Sequence, residues 1–227
     1  MSYFKRDYSV FNKMDFDRAP VGIKFEFSQP QGMNKLEKKL PLCGVFVEAQ
    51  KSDPFYYTKE NESCSGTFPL GMADVGPRYR AGLHGGDEIG IYKEPRANRR
   101  IYHDIPRLQE GTCNYVLFSR LHELSYDPDI IIFTCNTTQA ELLMRAYAHT
   151  TGKMWHARGY LVLSCAWLYV HPFISGEMNM TVTGLQFGIR DHKILPPGLI
   201  LISIPFDYVP MIIENLNDMK WDLVGPG

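Results

Sequence analysis

The sequence contains no apolar run of the roughly 20 residues that a membrane-spanning helix requires. Charged side chains interrupt the first 20 residues, which lack the apolar segment of a secretory signal. The formal net charge is only −1 at pH 7, so there is no electrostatic basis for binding nucleic acid or an anionic membrane surface. We therefore expect a cytoplasmic protein whose partners include neither nucleic acid nor membrane.

Motifs of common catalytic families are also missing. The sequence has no Walker-type phosphate loop, no Gly-x-Ser-x-Gly elbow, no Gly-x-Gly-x-x-Gly turn after a predicted strand and no His-Glu-x-x-His pair. These absences exclude the phosphate-loop, α/β-hydrolase, dinucleotide-binding and zincin-type sites that such motifs mark. The sequence by itself therefore identifies no reaction.

Cysteine pairs of the Cys-x-x-Cys type are absent as well. The five cysteines are Cys43, Cys64, Cys113, Cys135 and Cys165. An odd number of cysteines in a chain without an export signal favours reduced thiols over a disulfide framework. None of their spacings forms a local chelate, so any metal site would have to be assembled by folding. Taken individually, several of them also fit buried apolar positions.

The composition is that of an ordinary globular protein, with 44% hydrophobic and 22% charged residues. Hydrophobic periodicity predicts strands at residues 21–27, 54–58, 114–120, 128–134, 178–183 and 199–204. It predicts helices after residue 136, over residues 160–170 and after residue 207, whereas residues 42–50 fit either element. We expect an α/β or α+β fold, a mixed sheet with helices packed on it. Residues 1–227 would form a single compact domain, with two similar halves left open.

The clearest local pattern is a strand-to-helix junction. The predicted strand leads to Cys135, and Asn136-x-x-Gln139 and Thr138-x-x-Glu141 both match the capping box that begins helices. Ligands of open α/β sheets bind where such strands end, which makes Cys135 and Asn136 candidate ligand contacts. A residue that only fills the strand–helix junction is the simpler explanation of Cys135.

Residues 63–106 are rich in glycine and proline, which favours loops and close backbone approaches over regular elements. We predict that this region is inserted between the halves of the domain and faces a ligand. Cys64, Gly66 and His84 lie in it and are candidate contacts, although a surface turn would also explain His84. Arg190 follows a glycine-containing turn and could meet either an anionic ligand or a surface carboxylate.

A series of short motifs runs along nearly the whole chain. They are Ala19-Pro20-Val21-Gly22-Ile23-Lys24-Phe25, Cys43, Cys64-Ser65-Gly66 with Leu70-Gly71, Pro128-Asp129-Ile130-Ile131-Ile132-Phe133, Gln139-Ala140, Gly152, Cys165, Gly184 with Gly188-x-Arg190, and Ile204-Pro205. Their order resembles the archaeal and bacterial family called domain of unknown function one-six-nine. The chain departs from the family pattern between Gly82 and Arg107, where it is longer and richer in aromatic and basic residues.

The resemblance implies that Cys43, Cys64 and Cys165 converge, because the family pattern has cysteines at these positions. Three thiolates leave one position open on a four-iron cluster or a tetrahedral zinc ion. Thiolates also prefer soft metals to magnesium or calcium. The leading hypothesis is therefore an iron–sulfur cluster or another soft metal held by these cysteines, with residues 66–90 as the wall of a ligand pocket. The family has no assigned reaction to carry over.

Two alternatives remain open. One is a metal-free module that binds a small molecule between the loops of residues 66–90 and the helix start near Asn136. The other is a thiol-dependent enzyme that uses one activated cysteine, either Cys64 or Cys135. The sequence also leaves open whether the chain forms a homo-oligomer.

Overall fold

A computed structural model of the chain describes residues 6–84 and 88–222. Seven strands within these residues form one sheet in the order β2-β3-β4-β1-β5-β7-β6. They are β1 (Val21–Glu26), β2 (Asn34–Lys35), β3 (Phe55–Tyr57), β4 (Tyr115–Arg120), β5 (Ile130–Cys135), β6 (Asn179–Val182) and β7 (Ile200–Pro205). All neighbours are antiparallel except the short parallel pair β2 and β3. The expected mixed α/β sheet is confirmed.

The helices of the described residues cover both faces of this sheet. They are α1 (Ser9–Asn12), α2 (Leu42–Ala49), α3 (Pro77–Arg80), α4 (Pro95–Asp104), α5 (Thr137–Ala148), α6 (His171–Ser175), α7 (Phe187–Asp191) and α8 (Val209–Asp218). No helix in the described part of the chain is long and apolar enough to cross a membrane.

The central strand β5 is buried along its whole length because helices pack on both of its faces. Ile131 and Phe133 belong to a core shared with α1, α5 and α8. Ile130 and Ile132 belong to a second core shared with α2 and α7. Alternate side chains of a strand point to opposite faces, so a continuous apolar run is what this position requires.

The glycine- and proline-rich segment contains more regular structure than its composition predicts. It includes α3 and the ten-residue helix α4. Its own small core contains Phe68, Ile101 and Tyr102. The predicted close backbone approach occurs at Gly82, where φ is +81° and a Cβ atom would collide with the carbonyl group of Pro95. Residues 85–87 of this segment lie outside the described residues.

The helix predicted over residues 160–170 is displaced along the chain. Its helical conformation begins at Ser164, passes through a π-helical turn at Ala166–Val170 and continues into α6. Leu163, with φ of +52°, is in the left-handed region and so prevents an earlier start. Periodicity alone could not locate this break. Single π turns within α-helices occur frequently at functional sites.

Substitution of Asn136 tests the helix start at α5. The Asn136 side chain accepts a hydrogen bond from the Gln139 amide at 2.9 Å, and the Gln139 side chain accepts one from the Asn136 amide at 2.8 Å. Asn136→Ala should therefore lower the free energy of unfolding by about 1 kcal/mol in urea titrations.

The second predicted capping box, at Thr138, was wrong because Thr138 lies inside α5. Thr138→Ala should accordingly change stability by no more than about 0.5 kcal/mol. Equal effects of the two variants would contradict this assignment.

Candidate functional site

A cavity of about 730 Å³ lies beside α2 and α7, and it is lined by Cys43, Cys64 and Cys165. The three residues are far apart in the sequence and come from three different segments. Cys43 is in the first turn of α2, Cys64 is in the loop after β3, and Cys165 precedes the π-helical turn. Each side chain is half-buried. Folding therefore brings the three predicted cysteines to a single cavity.

Local backbone structure positions the thiols of Cys43 and Cys64. Pro41, whose ψ of 148° is extended, turns the chain into α2 two residues before Cys43. Glu62 accepts hydrogen bonds from the amide and the hydroxyl group of Thr67, which closes the loop that carries Cys64. Within this loop a side chain at Gly66 would approach Leu42 to 2.7 Å, so only glycine fits there without a shift.

Burial raises the pKa of all three thiols. It raises the pKa of Cys43 to about 12, with a further contribution from the nearby Cys64. It also raises the pKa of Cys64, and it raises that of Cys165 well above the ordinary range. Cys64 and Cys43 both disfavour the thiolate of Cys165, because like charges repel in a poorly solvated interior. As free side chains, the three cysteines are therefore protonated thiols at neutral pH.

Backbone amides act in the opposite direction on the same three pKa values. The amides of Cys43 and Gly44 favour the thiolate of Cys43, and those of Leu42 and Gly66 favour the thiolate of Cys64. The amides of Cys165 and Ala166 do the same for Cys165. Neighbouring backbone amides thus favour the charged form of each sulfur, an influence of the kind that tunes sulfur ligands of metal centres. The arrangement can stabilise thiolates once a cation offsets the cost of burial.

Two buried polar side chains near the thiols have no hydrogen-bond partner among the described residues. One is Tyr57, whose raised pKa is due to burial and then to Glu62, Cys64 and Cys165. The other is Gln186, which lines a small inner cavity together with Cys43 and Cys165. An unpartnered buried polar group is unfavourable, so it points to a further partner. Neither residue was predicted, because neither belongs to a recognisable sequence motif.

A match to a sequence model shows which family the chain belongs to. The sequence model of DUF169, described as uncharacterised ArCR, matches residues 11–215. The chain belongs to this family. The match confirms the resemblance and includes all three cysteines of the cavity. Comparison with curated proteins and with solved structures found no match.

The remaining predicted residues of this DUF169 protein lie in different places. Gly66 and His84 line the cavity with the three cysteines. Cys135 is fully buried in the core shared by α1, α5 and α8, where burial raises its pKa to about 12. The Asn136 side chain is occupied as the helix cap, and Arg190 is exposed on α7. The ligand position predicted near Asn136 is thus not the position of the cysteine-lined cavity.

The described part of this DUF169 protein contains no group of three or more His, Cys, Asp or Glu residues placed to hold a metal ion. The sulfur ligands of one zinc ion all lie about 2.3 Å from it. Three cysteines can share a cavity without meeting that requirement. The geometry therefore gives no support to a preformed single-ion site.

Alkylation tests whether any cysteine is an activated nucleophile. Because burial raises the pKa of Cys43, Cys64 and Cys165, each should react with iodoacetamide at neutral pH at least about tenfold more slowly than free cysteine. Peptide mass spectrometry of the metal-free chain over time would give the rate at each site. Urea-unfolded protein provides the control, since all five thiols should then react at the free rate. One rapidly labelled thiol in the folded chain would contradict the expectation.

Proposed function

We propose that the chain holds an iron–sulfur cluster through the thiolates of Cys43, Cys64 and Cys165. The observation that carries the proposal is that these three cysteines, distant in sequence, line one cavity. The conformation that brings them together includes a π-helical turn beside Cys165 and a close approach at Gly66. Isolated core cysteines would require neither feature.

The electrostatics of the site fit a cationic centre. The raised thiol pKa values mean that uncompensated thiolates are unfavourable there, and iron would supply the missing positive charge. The neighbouring backbone amides, which favour each thiolate, then favour the bound form. The unpartnered hydroxyl group of Tyr57 and amide group of Gln186 could donate to sulfur in the same region.

A cluster requires a different arrangement of its sulfur ligands from a single ion. Each thiolate of a four-iron cluster binds a different iron atom, so its sulfur ligands are more widely spaced than those around one ion. Three cysteines leave one iron without a protein thiolate, and the cavity provides space for a small molecule beside it.

The free state of all five cysteines fits a reducing compartment, so we place the protein in the cytoplasm.

Iron and sulfide analysis tests the proposal directly. The full chain, purified and reconstituted without oxygen, should be brown and contain roughly four iron and four sulfide ions per chain. Cys43→Ser, Cys64→Ser and Cys165→Ser should each lower the retained iron roughly tenfold or more, since each removes a ligand.

The matched controls are Cys113→Ala and Cys135→Ala, which remove buried thiols from the cores outside the cavity. These two variants should retain the iron content of the unaltered chain. A colourless chain that takes up no iron on reconstitution would refute the proposal, and so would equal iron loss from the cavity and control variants.

Tyr57→Phe separates a role of Tyr57 in holding the iron–sulfur cluster from a role in folding. In the metal-free chain, loss of an unpartnered buried hydroxyl group should leave the free energy of unfolding unchanged or raise it by up to about 1 kcal/mol. In the loaded chain, the same change should speed iron release to a chelator, because a donor to sulfur is lost. Tyr147→Phe, a buried tyrosine of the opposite core, is the control. Unchanged iron release in Tyr57→Phe would remove this residue from the site.

The second candidate is a metal-free binding site for a small molecule. It is supported by the volume of the cavity, which lies within the usual range of ligand pockets, about 300–1,000 Å³. The lack of a preformed single-ion group in the described chain also fits it. If the chain fails to take up iron, and a ligand raises its melting temperature equally in Cys64→Ser, this second function replaces the first.

A further inference from the structure

The cavity that contains the three cysteines also has an aromatic wall. The rings of Tyr79 and Tyr102 meet edge to face with their centroids 6.0 Å apart, and the Tyr79 ring lies 4.6 Å from that of His84. Phe187, at the start of α7, adds another ring to the lining. Faces of aromatic rings favour flat apolar groups and cations.

The charged side chains of the lining are of one sign. Among the lining residues that the structure describes, Glu88 and Asp191 are carboxylates, and there is no lysine or arginine. Glu88 is paired with Arg78 and with His84, so its charge is largely compensated. Asp191 is exposed and forms no ion pair with a described residue. A negatively charged ligand would find no lysine or arginine here and only the imidazoles of His84 and His192, whereas a positively charged group would find Asp191.

Asn98 gives this wall a preference for ligands that carry a hydrogen-bond donor. Its side chain is fully buried, and Nδ2 donates a hydrogen bond to the carbonyl oxygen of Gly82 at 2.8 Å. That bond fixes the orientation of the Asn98 amide group. The carbonyl oxygen of Gly82 can accept a hydrogen bond from Nδ2 but not from Oδ1, which is itself only an acceptor. Oδ1 has no partner among the described residues. An N–H or O–H group that reaches this part of the wall would satisfy it.

We propose that the cavity binds an aromatic or heterocyclic molecule that carries hydrogen-bond donors and no negative charge, with an arylalkylamine such as benzylamine as the simplest example. The rings would hold its flat part, and Asp191 would favour a cationic group at the exposed edge. The inference uses the cavity of the proposed function but does not require the cluster.

Three probes of similar size and different charge test the proposal. They are benzylamine, benzyl alcohol and benzoate, which at neutral pH are a cation, a neutral molecule and an anion. Calorimetric titration of the full chain, both iron-loaded and metal-free, should give the tightest binding for benzylamine and at least tenfold weaker binding for benzoate. Asp191→Asn should reduce the preference for benzylamine over benzyl alcohol about two- to fivefold, as expected for an exposed charge.

Asp53→Asn, which removes an aspartate that is 96% exposed and absent from the lining, is the matched control and should leave the preference unchanged. Benzoate binding as tight as that of benzylamine would overturn the proposal, and so would the absence of binding by all three probes. An unchanged preference in Asp191→Asn would overturn the role of that carboxylate. Selective amine binding by a chain that takes up no iron would support this inference while refuting the cluster.

Discussion

Three thiols share a poorly solvated cavity, where the charges they would carry as thiolates need a cationic partner. Burial raises the pKa values of these thiols, while nearby backbone amides lower them. The buried hydroxyl group of Tyr57, close to two of the cysteines, has no partner among the described residues. The proposed cluster of iron and sulfide would resolve both features, because iron would compensate the thiolate charge and sulfur would accept a hydrogen bond from Tyr57.

The sheet supplies the rigid support for this arrangement. One face carries α2 and the π-helical turn, which bring Cys43 and Cys165 to the cavity against the second core. The other face is closed by α1, α5 and α8 and contains Cys135. The segment of α3 and α4 adds the aromatic wall and the polar Asn98. Regular elements thus position the thiols, while the long insertion shapes the space next to them.

Local patterns predicted most strands and the helix after Asn136, because alternation and capping depend on neighbouring residues. They did not predict α4 within the glycine-rich segment or the break at Leu163. These features depend on contacts with distant residues, as at Gly82, which packs directly against the backbone of Pro95. Of the site, only the convergence of the three cysteines could be predicted, and that prediction came from the family resemblance. Gln186 belongs to no motif and is identified only by its burial without a partner.

The sequence by itself determined the α/β class, the reduced state expected of an odd cysteine set and the positions of the main strands. These properties follow from composition and short-range periodicity. Only the tertiary structure decided that Cys43, Cys64 and Cys165 line the same cavity while Cys135 lies in the opposite core. Spatial proximity between residues more than twenty positions apart depends on how the sheet and its helices pack, and no local pattern records that packing.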